Sequence, residues 1–223
     1  MKLIIFDIDG TLCHSRYIDD KCYIQAFKRT LDIDVSNTDW NSYKHVTDLY
    51  VTKQIIFEQT GKEAETAVIE KIINYYAEEL KNQISKEESL FIPIPGVREL
   101  FTYLIKKSSE YQVAIATGGF LRTAMYKLSR IGISLPQEDI YTSNNYDTKH
   151  EMISHFVNKQ TTISRNIEKV IYVGDREYDY KVSKELKIDF IGIDFRKNDK
   201  LKLAGIEKVV NDYEPIEKFL SLV

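Results

Sequence analysis

The run Leu3-Ile4-Ile5-Phe6 ends abruptly in Asp7-Ile8-Asp9-Gly10, and that junction restricts the fold more than any other stretch of the chain. A short apolar run containing the β-branched pair Ile4 and Ile5 reads as a strand buried on both faces, the habit of strands inside parallel sheets. Alternate side chains of an extended chain share a face, so Asp7 and Asp9 point one way and Ile8 the other. Two carboxylates therefore converge at a strand end. Taken alone, the stretch fits a solvated Asp-Gly turn equally well, and the rest of the chain has to decide.

After Leu12 the periodicity becomes helical. Cys22, Tyr23, Ala26, Phe27 and Leu31 recur at intervals of three and four between Asp19-Asp20 and Asp32. Leu49, Ile56 and Phe57 fit a second helix closed by Gly61. Ile69, Ile72, Ile73, Tyr76, Leu80 and Ile84 form one face of a third. From about Ser15 to Leu90 the pattern is helical throughout, whereas everything around it alternates strand and helix. Phe91 to Gly96 carries two of the four prolines and reads as an extended connector. Beyond it come the helical stripe Val97, Leu100, Phe101, Leu104 and Ile105, then a strand Val113–Ala116 ending in Thr117-Gly118-Gly119. A helix with stripe Leu121, Ala124, Met125, Leu128 and Ile131 follows, and Gly132 closes it. Further βα units place a strand at 140–142, a helix from Lys149 to about Asn158, a strand at 170–173 and a helix near 178–186. Strands at 190–193 and 209–210 and a helix over 213–222 complete the pattern. The expected fold is α/β: a Rossmann-like, doubly wound parallel sheet core of residues 1–14 and 91–223, with an inserted all-helical cap domain of residues 15–90.

Of the 223 residues, 43% are hydrophobic and 29% charged, the balance of a chain that folds around a core. Acids and bases are interspersed and the net charge is −3, so no basic stripe predicts a nucleic-acid partner. The two cysteines, Cys13 and Cys22, lie outside any zinc-ligand spacing and are read as reduced thiols. The four histidines share no metal-ligand spacing either. The first apolar run is too short for a signal peptide and no later stretch approaches a membrane span, which suggests a cytoplasmic protein without a membrane partner.

In an open parallel sheet, ligands collect at the carboxyl ends of the strands. Those ends here carry Asp7 and Asp9, then Thr117 with Gly118 and Gly119, then Lys149, then Gly174-Asp175-Arg176-Glu177-Tyr178-Asp179. The residue types suit phosphoryl transfer. Carboxylates hold magnesium, a lysine and a hydroxyl neutralise phosphate oxygens, and amides at a helix start supply fixed donors for an anion. In this order the residues resemble the haloacid dehalogenase-like (HAD) superfamily of phosphohydrolases, in its branch with a helical cap. Asp7-Ile8-Asp9-Gly10-Thr11-Leu12 matches the first motif of that family, Thr117 the second, Lys149 the third, and Gly174-Asp175 with Asp179 the fourth. Size, cap position and Ala116-Thr117-Gly118-Gly119 resemble the branch of phosphoglycolate phosphatase and related small-metabolite phosphatases. His14-Ser15 departs from the acid-serine pair often seen there.

The resemblance implies a Mg2+-dependent phosphatase acting on a small phosphorylated metabolite, as a monomer or small homo-oligomer. Asp7 is the expected nucleophile, forming an aspartyl phosphate. Asp9 is the expected acid and base, a role that calls for a raised pKa. The Asp7 carboxylate, the Asp9 backbone carbonyl and Asp175 are the expected metal ligands, oriented by Asp179. Thr117, the Gly118 amide and Lys149 are the expected phosphate contacts. Lys149 has a rival reading as one more solvated lysine, like Lys127, Lys159 and Lys169. Arg16, Lys44, His45, Thr47 and Asp48 are the candidates for choosing the substrate. The alternatives are a phosphosugar mutase of the same superfamily and a non-catalytic binding protein on the same fold.

Overall fold

The computed structural model describes residues 1–163 and 166–223, the side chains of Arg16, Asn41 and Ile163 excepted. Its centre is a six-stranded parallel sheet. The first strand, β1 (Lys2–Phe6), lies between β4 (Tyr111–Thr117) and β6 (Lys169–Gly174). Outside β4 lies β5 (Ile140–Thr142), and outside β6 lie β7 (Asp189–Ile193) and β8 (Val209–Val210), giving the order β5-β4-β1-β6-β7-β8. The chain thus winds outward on one side of β1, returns, and winds outward on the other. The point where the winding reverses falls between β1 and β6, and ligands of doubly wound sheets sit at such points.

Alternation along β1 explains why both faces are covered. Ile4 and Phe6 pack into one apolar cluster, whereas Leu3 and Ile5 pack into another on the opposite face. The first face is covered by α4 (Val97–Lys106), α5 (Leu121–Ile131) and α9 (Ile216–Leu220), through Leu100, Phe101, Leu128 and Phe219. The second is covered by α6 (Lys149–Ile163) and α7 (Glu177–Leu186), through Met152, Phe156 and Val182.

Between β1 and β4 the regular elements run differently. After β2 (Cys13–His14) come α1 (Arg16–Leu31), α2 (Asp48–Thr60) and α3 (Thr66–Lys86), with only short 3-10 turns besides. The predicted stripe of α3, from Ile69 to Ile84, is buried along its length. Gly61 ends α2 in the left-handed conformation, its amide donating to the Phe57 carbonyl. The chain returns through β3 (Ile92–Pro93), which pairs antiparallel with β2. The expected connector is therefore a strand as well, tolerated by Pro93 because it stands in a two-stranded ribbon at a sheet edge.

Some expectations need correction. Ile105, Met125 and Phe57 belong to apolar stripes in the sequence pattern, yet they are 46%, 43% and 50% exposed. The last helix is shorter than its pattern, beginning at Ile216 after Pro215, and α8 (Lys200–Leu203) is a further short helix.

Candidate functional site

Asp7 follows directly on β1, and its amide donates to the Val173 carbonyl of β6 at 2.9 Å. Its carboxylate is therefore held at the reversal point of the sheet. Gly10, directly after Asp9, has φ +83°, and a Cβ there would lie 2.1 Å from Asp175 Oδ2. Glycine is required on both counts: the turn is left-handed and the Asp175 carboxyl packs on it. Gly174 is constrained by space alone, since a Cβ there would meet Asp179 Cβ at 2.7 Å.

Lys149, at the first turn of α6, is 4% exposed, so the reading as a solvated lysine fails. Its ammonium lies 3.1 Å from Asp7 Oδ2 and 2.7 Å from Asp179 Oδ1, and it donates to the Tyr172 hydroxyl at 3.1 Å. Burial works against that charge, but Asp179 and then Asp7 outweigh it and hold the lysine above its ordinary pKa. Asp7 itself is pushed up to about 6 by burial, against the pull of Lys149. Asp179 is fully buried, accepting also from the Tyr172 hydroxyl and the Arg176 amide. Thr117 ends β4, and its Oγ1 accepts from the Gly119 amide at 3.1 Å. Thr117, Gly118, Lys149, Asp7 and Asp9 all line one cavity of about 110 Å³. The predicted phosphate contacts and both motif acids are thus brought together.

Carboxylate oxygens of Asp7, Asp175 and Asp179 lie within 4.8 Å of one another, close enough to share a cation. Asp175 Oδ1 is buried with no hydrogen-bond partner among the described residues, and burial lifts that carboxyl to about 7. Arg176 Nε lies 3.7 Å from that oxygen, too far to donate, and a buried acid without a hydrogen bond is what a divalent cation satisfies, so the residues fit a metal of the magnesium type.

The Asp9 side chain is not part of that group. Its Oδ1 lies 2.5 Å from the ammonium of Lys127 in α5, and that ammonium also meets Asp19 Oδ2 of α1 at 2.9 Å. Asp19 accepts further from Ser15 at 2.6 Å and from Tyr76 of α3 at 3.0 Å. Lys127 is 2% exposed. Reading it as a solvated lysine is overturned: it is the residue that ties both acids together. Burial raises the Asp9 carboxyl, but Lys127 reverses the effect and leaves it below the ordinary value. This opposes the raised pKa expected for Asp9.

The opposite wall of the cavity comes from the helical segment. It presents Asp19, Asp20, Tyr23, Trp40, Asp48 and Tyr76. The Asp48 amide donates to the Gly118 carbonyl at 2.8 Å, and its carboxyl accepts from the Phe120 amide. Burial pushes that carboxyl up to about 7, with Lys127 opposing. Thr47 faces away and donates to the Asp147 carbonyl at 2.6 Å. Of the candidates for substrate choice, only Asp48 lines this cavity among the described residues; the Arg16 side chain lies outside them. Arg176 also lines the cavity, and with Val46 it lines a wider cleft of about 500 Å³ as well. Sequence reasoning passed over Arg176, although it adjoins Asp175.

A doubly wound parallel sheet with an acidic centre at its reversal point defines an α/β enzyme. Residues 4–193 match the family model described as haloacid dehalogenase-like hydrolase, and the chain belongs to that family. Solved structures agree in fold. A hydrolase from Pseudomonas syringae aligns with TM-score 0.72 at 20% identity, covering 100% of this chain and 99% of its own. A predicted phosphatase from Clostridium acetobutylicum aligns at 0.63 and 23% identity, covering 100% and 99%. A predicted phosphoglycolate phosphatase from Haemophilus somnus 129pt aligns at 0.65 and 17% identity, covering 99% and 98%. No curated protein matches the chain in sequence.

Proposed function

We propose that the protein is a Mg2+-dependent phosphatase of small phosphomonoesters, working through an aspartyl phosphate on Asp7. The observation that carries this reading is the convergence of Asp7, Lys149, Thr117 and Gly118 on one small cavity beside the Asp175 acid cluster. The names of the phosphatases similar in fold support it.

In this reading an Asp7 oxygen attacks phosphorus and the bond to the ester oxygen breaks, while Asp9 gives that oxygen its proton. Asp9 then takes a proton from the attacking water, whose oxygen displaces Asp7 and frees phosphate. The Lys127 ion pair holds Asp9 ionised, which suits the second half; an incoming phosphate dianion would raise the Asp9 pKa for the first. Lys149, Thr117 and the Gly118 amide stabilise charge spread over the phosphoryl oxygens. Asp7, Asp175 and the Asp9 carbonyl would hold the magnesium, which when bound neutralises phosphate charge and makes phosphorus open to attack. Asp179 keeps Lys149 and the start of α7 in position.

Residues 15–90 serve in this reading as a cap that carries the specificity wall and opens about the β2–β3 connection to admit substrate.

The test is phosphate release from a panel of phosphomonoesters with magnesium and with excess chelator. Release should require the metal, and Asp7→Asn should lower it by roughly ten-thousand-fold without changing the circular dichroism spectrum. Substantial turnover by that variant would refute Asp7 as the nucleophile.

A further inference from the structure

The cavity is electrically lopsided. Its sheet side holds the acids Asp7 and Asp9 together with the groups suited to a phosphate, namely Lys149, Arg176, Thr117 and Gly118. Its helical side holds three carboxylates, Asp19, Asp20 and Asp48, and no basic side chain among the described residues. Lys127 approaches from behind, but its single ammonium is already shared between Asp9 and Asp19. Asp48 is in no ion pair among the described residues. Its carboxyl accepts from the Phe120 amide, its own amide donates to the Gly118 carbonyl, and its carbonyl accepts from the Tyr23 and Thr52 hydroxyls. Aromatic rings complete the wall. The rings of Tyr23 and Trp40 lie 5.7 Å apart between centroids, and those of Tyr23 and Tyr76 lie 5.4 Å apart.

We infer that the alcohol part of the substrate is a small amino alcohol, whose ammonium group lies against Asp48 and the Trp40-Tyr23-Tyr76 rings while its phosphate lies against Lys149. This rests on the phosphatase reading and narrows it. An ammonium gains from both components of the wall: beside Asp48, whose carboxyl burial raises to about 7, it favours the ionised form and pairs with it, and ring faces attract it by their quadrupoles. A hydroxyl gains from neither to the same degree. A carboxylate in that place is disfavoured, because a desolvated anion beside Asp19, Asp20 and Asp48 faces like charges. The cavity's modest size, about 110 Å³, sets the length: it suits a headgroup of a few atoms. The ester of glycolate is accordingly among the poorer substrates, whatever its likeness in size.

The experiment uses three esters of equal chain length, 2-aminoethyl phosphate, 2-hydroxyethyl phosphate and carboxymethyl phosphate, with p-nitrophenyl phosphate as a measure of general phosphatase activity. In the wild-type protein with magnesium, kcat/KM should fall in that order, by about tenfold at each step, the size of one charge-assisted hydrogen bond. Asp48→Asn should reduce the aminoethyl-to-hydroxyethyl ratio by about tenfold, and Trp40→Leu should reduce it too, with the two variants reporting on different parts of the wall. If either variant fails to fold, the order of the esters with the wild-type protein decides alone. Carboxymethyl phosphate cleaved as fast as the aminoethyl ester, or all three within threefold, would overturn this inference while leaving the phosphatase reading standing. Release from none of the four would overturn both.

Discussion

Lys127 shows how far one side chain can alter the electrostatics of a site. Its ammonium sits between Asp9 and Asp19, buried, and it joins a residue of the β1 loop to a residue of α1. Truncating it leaves two carboxylates facing each other without a cation. Lys127→Met should therefore lower the unfolding free energy by about 3 kcal/mol, the usual cost of removing one partner from a buried ion pair, as measured by urea denaturation. A loss below about 0.5 kcal/mol, the range of surface changes, would show that the pair is not formed. The motif acids, Thr117 and Asp175 were legible because each stands where a strand pattern ends, and Lys149 because it opens the helix that follows β5. Lys127 was not, because a lysine beside an apolar stripe normally extends to solvent. The only signal was its position, three residues after Ala124 and four before Ile131, on the side of α5 that turns inward. Nothing in the sequence says that Asp19, 108 residues away, waits there.

At the scale of elements, the same helix separates hydrophobic identity from burial. Met125 joins the predicted stripe because it is apolar, yet it is exposed while Thr123, Ala124, Lys127 and Leu128 are buried. A helix turns by its geometry, and an apolar residue next to the seam can fall on either side of it. Met125→Lys should change stability by no more than about 0.5 kcal/mol, whereas Leu128→Ala should cost about 2–5 kcal/mol; thermal melts of both variants compare them directly. Equal losses would mean that α5 is rotated relative to its description. The long stripe of α3 and the glycine ends of α2 and α5 were legible, since each repeats a strong pattern or needs a left-handed residue. The ends of α9 and the pairing of β3 were not. They depend on partners elsewhere in the chain, such as Cys13 opposite Pro93.

For the whole molecule, the proposed cap meets the core through polar contacts besides those of Lys127, among them Glu88 with Arg130 at 2.9 Å. The Asp48 amide reaches the Gly118 carbonyl, Thr47 reaches the Asp147 carbonyl, and Lys53 pairs with the Asp147 carboxylate at 2.8 Å. The raised Asp48 carboxyl predicts that this junction is sensitive to pH. Its folded pKa is raised to about 7, so its contribution to stability is complete below the ordinary carboxylate range and is lost as the pH rises through about 7. The difference in urea midpoint between wild type and Asp48→Asn should shift steadily against the wild type from pH 5 to pH 8. A difference independent of pH would show that Asp48 titrates normally.

The ribbon of β2 and β3 brings the two ends of the helical segment together. The chain leaves for that segment and returns from it at paired neighbours, Cys13 opposite Pro93 and His14 opposite Ile92. Antiparallel partners stand only about 5 Å apart, so a two-residue turn would close the gap as an ordinary hairpin. The helices are thus attached at a single doorway in the architecture. In evolutionary terms they are a cassette: a gene could gain, lose or exchange that whole stretch by recombination at one place, and the strand ends carrying Asp7, Thr117, Lys149 and Asp175 would be left as they were.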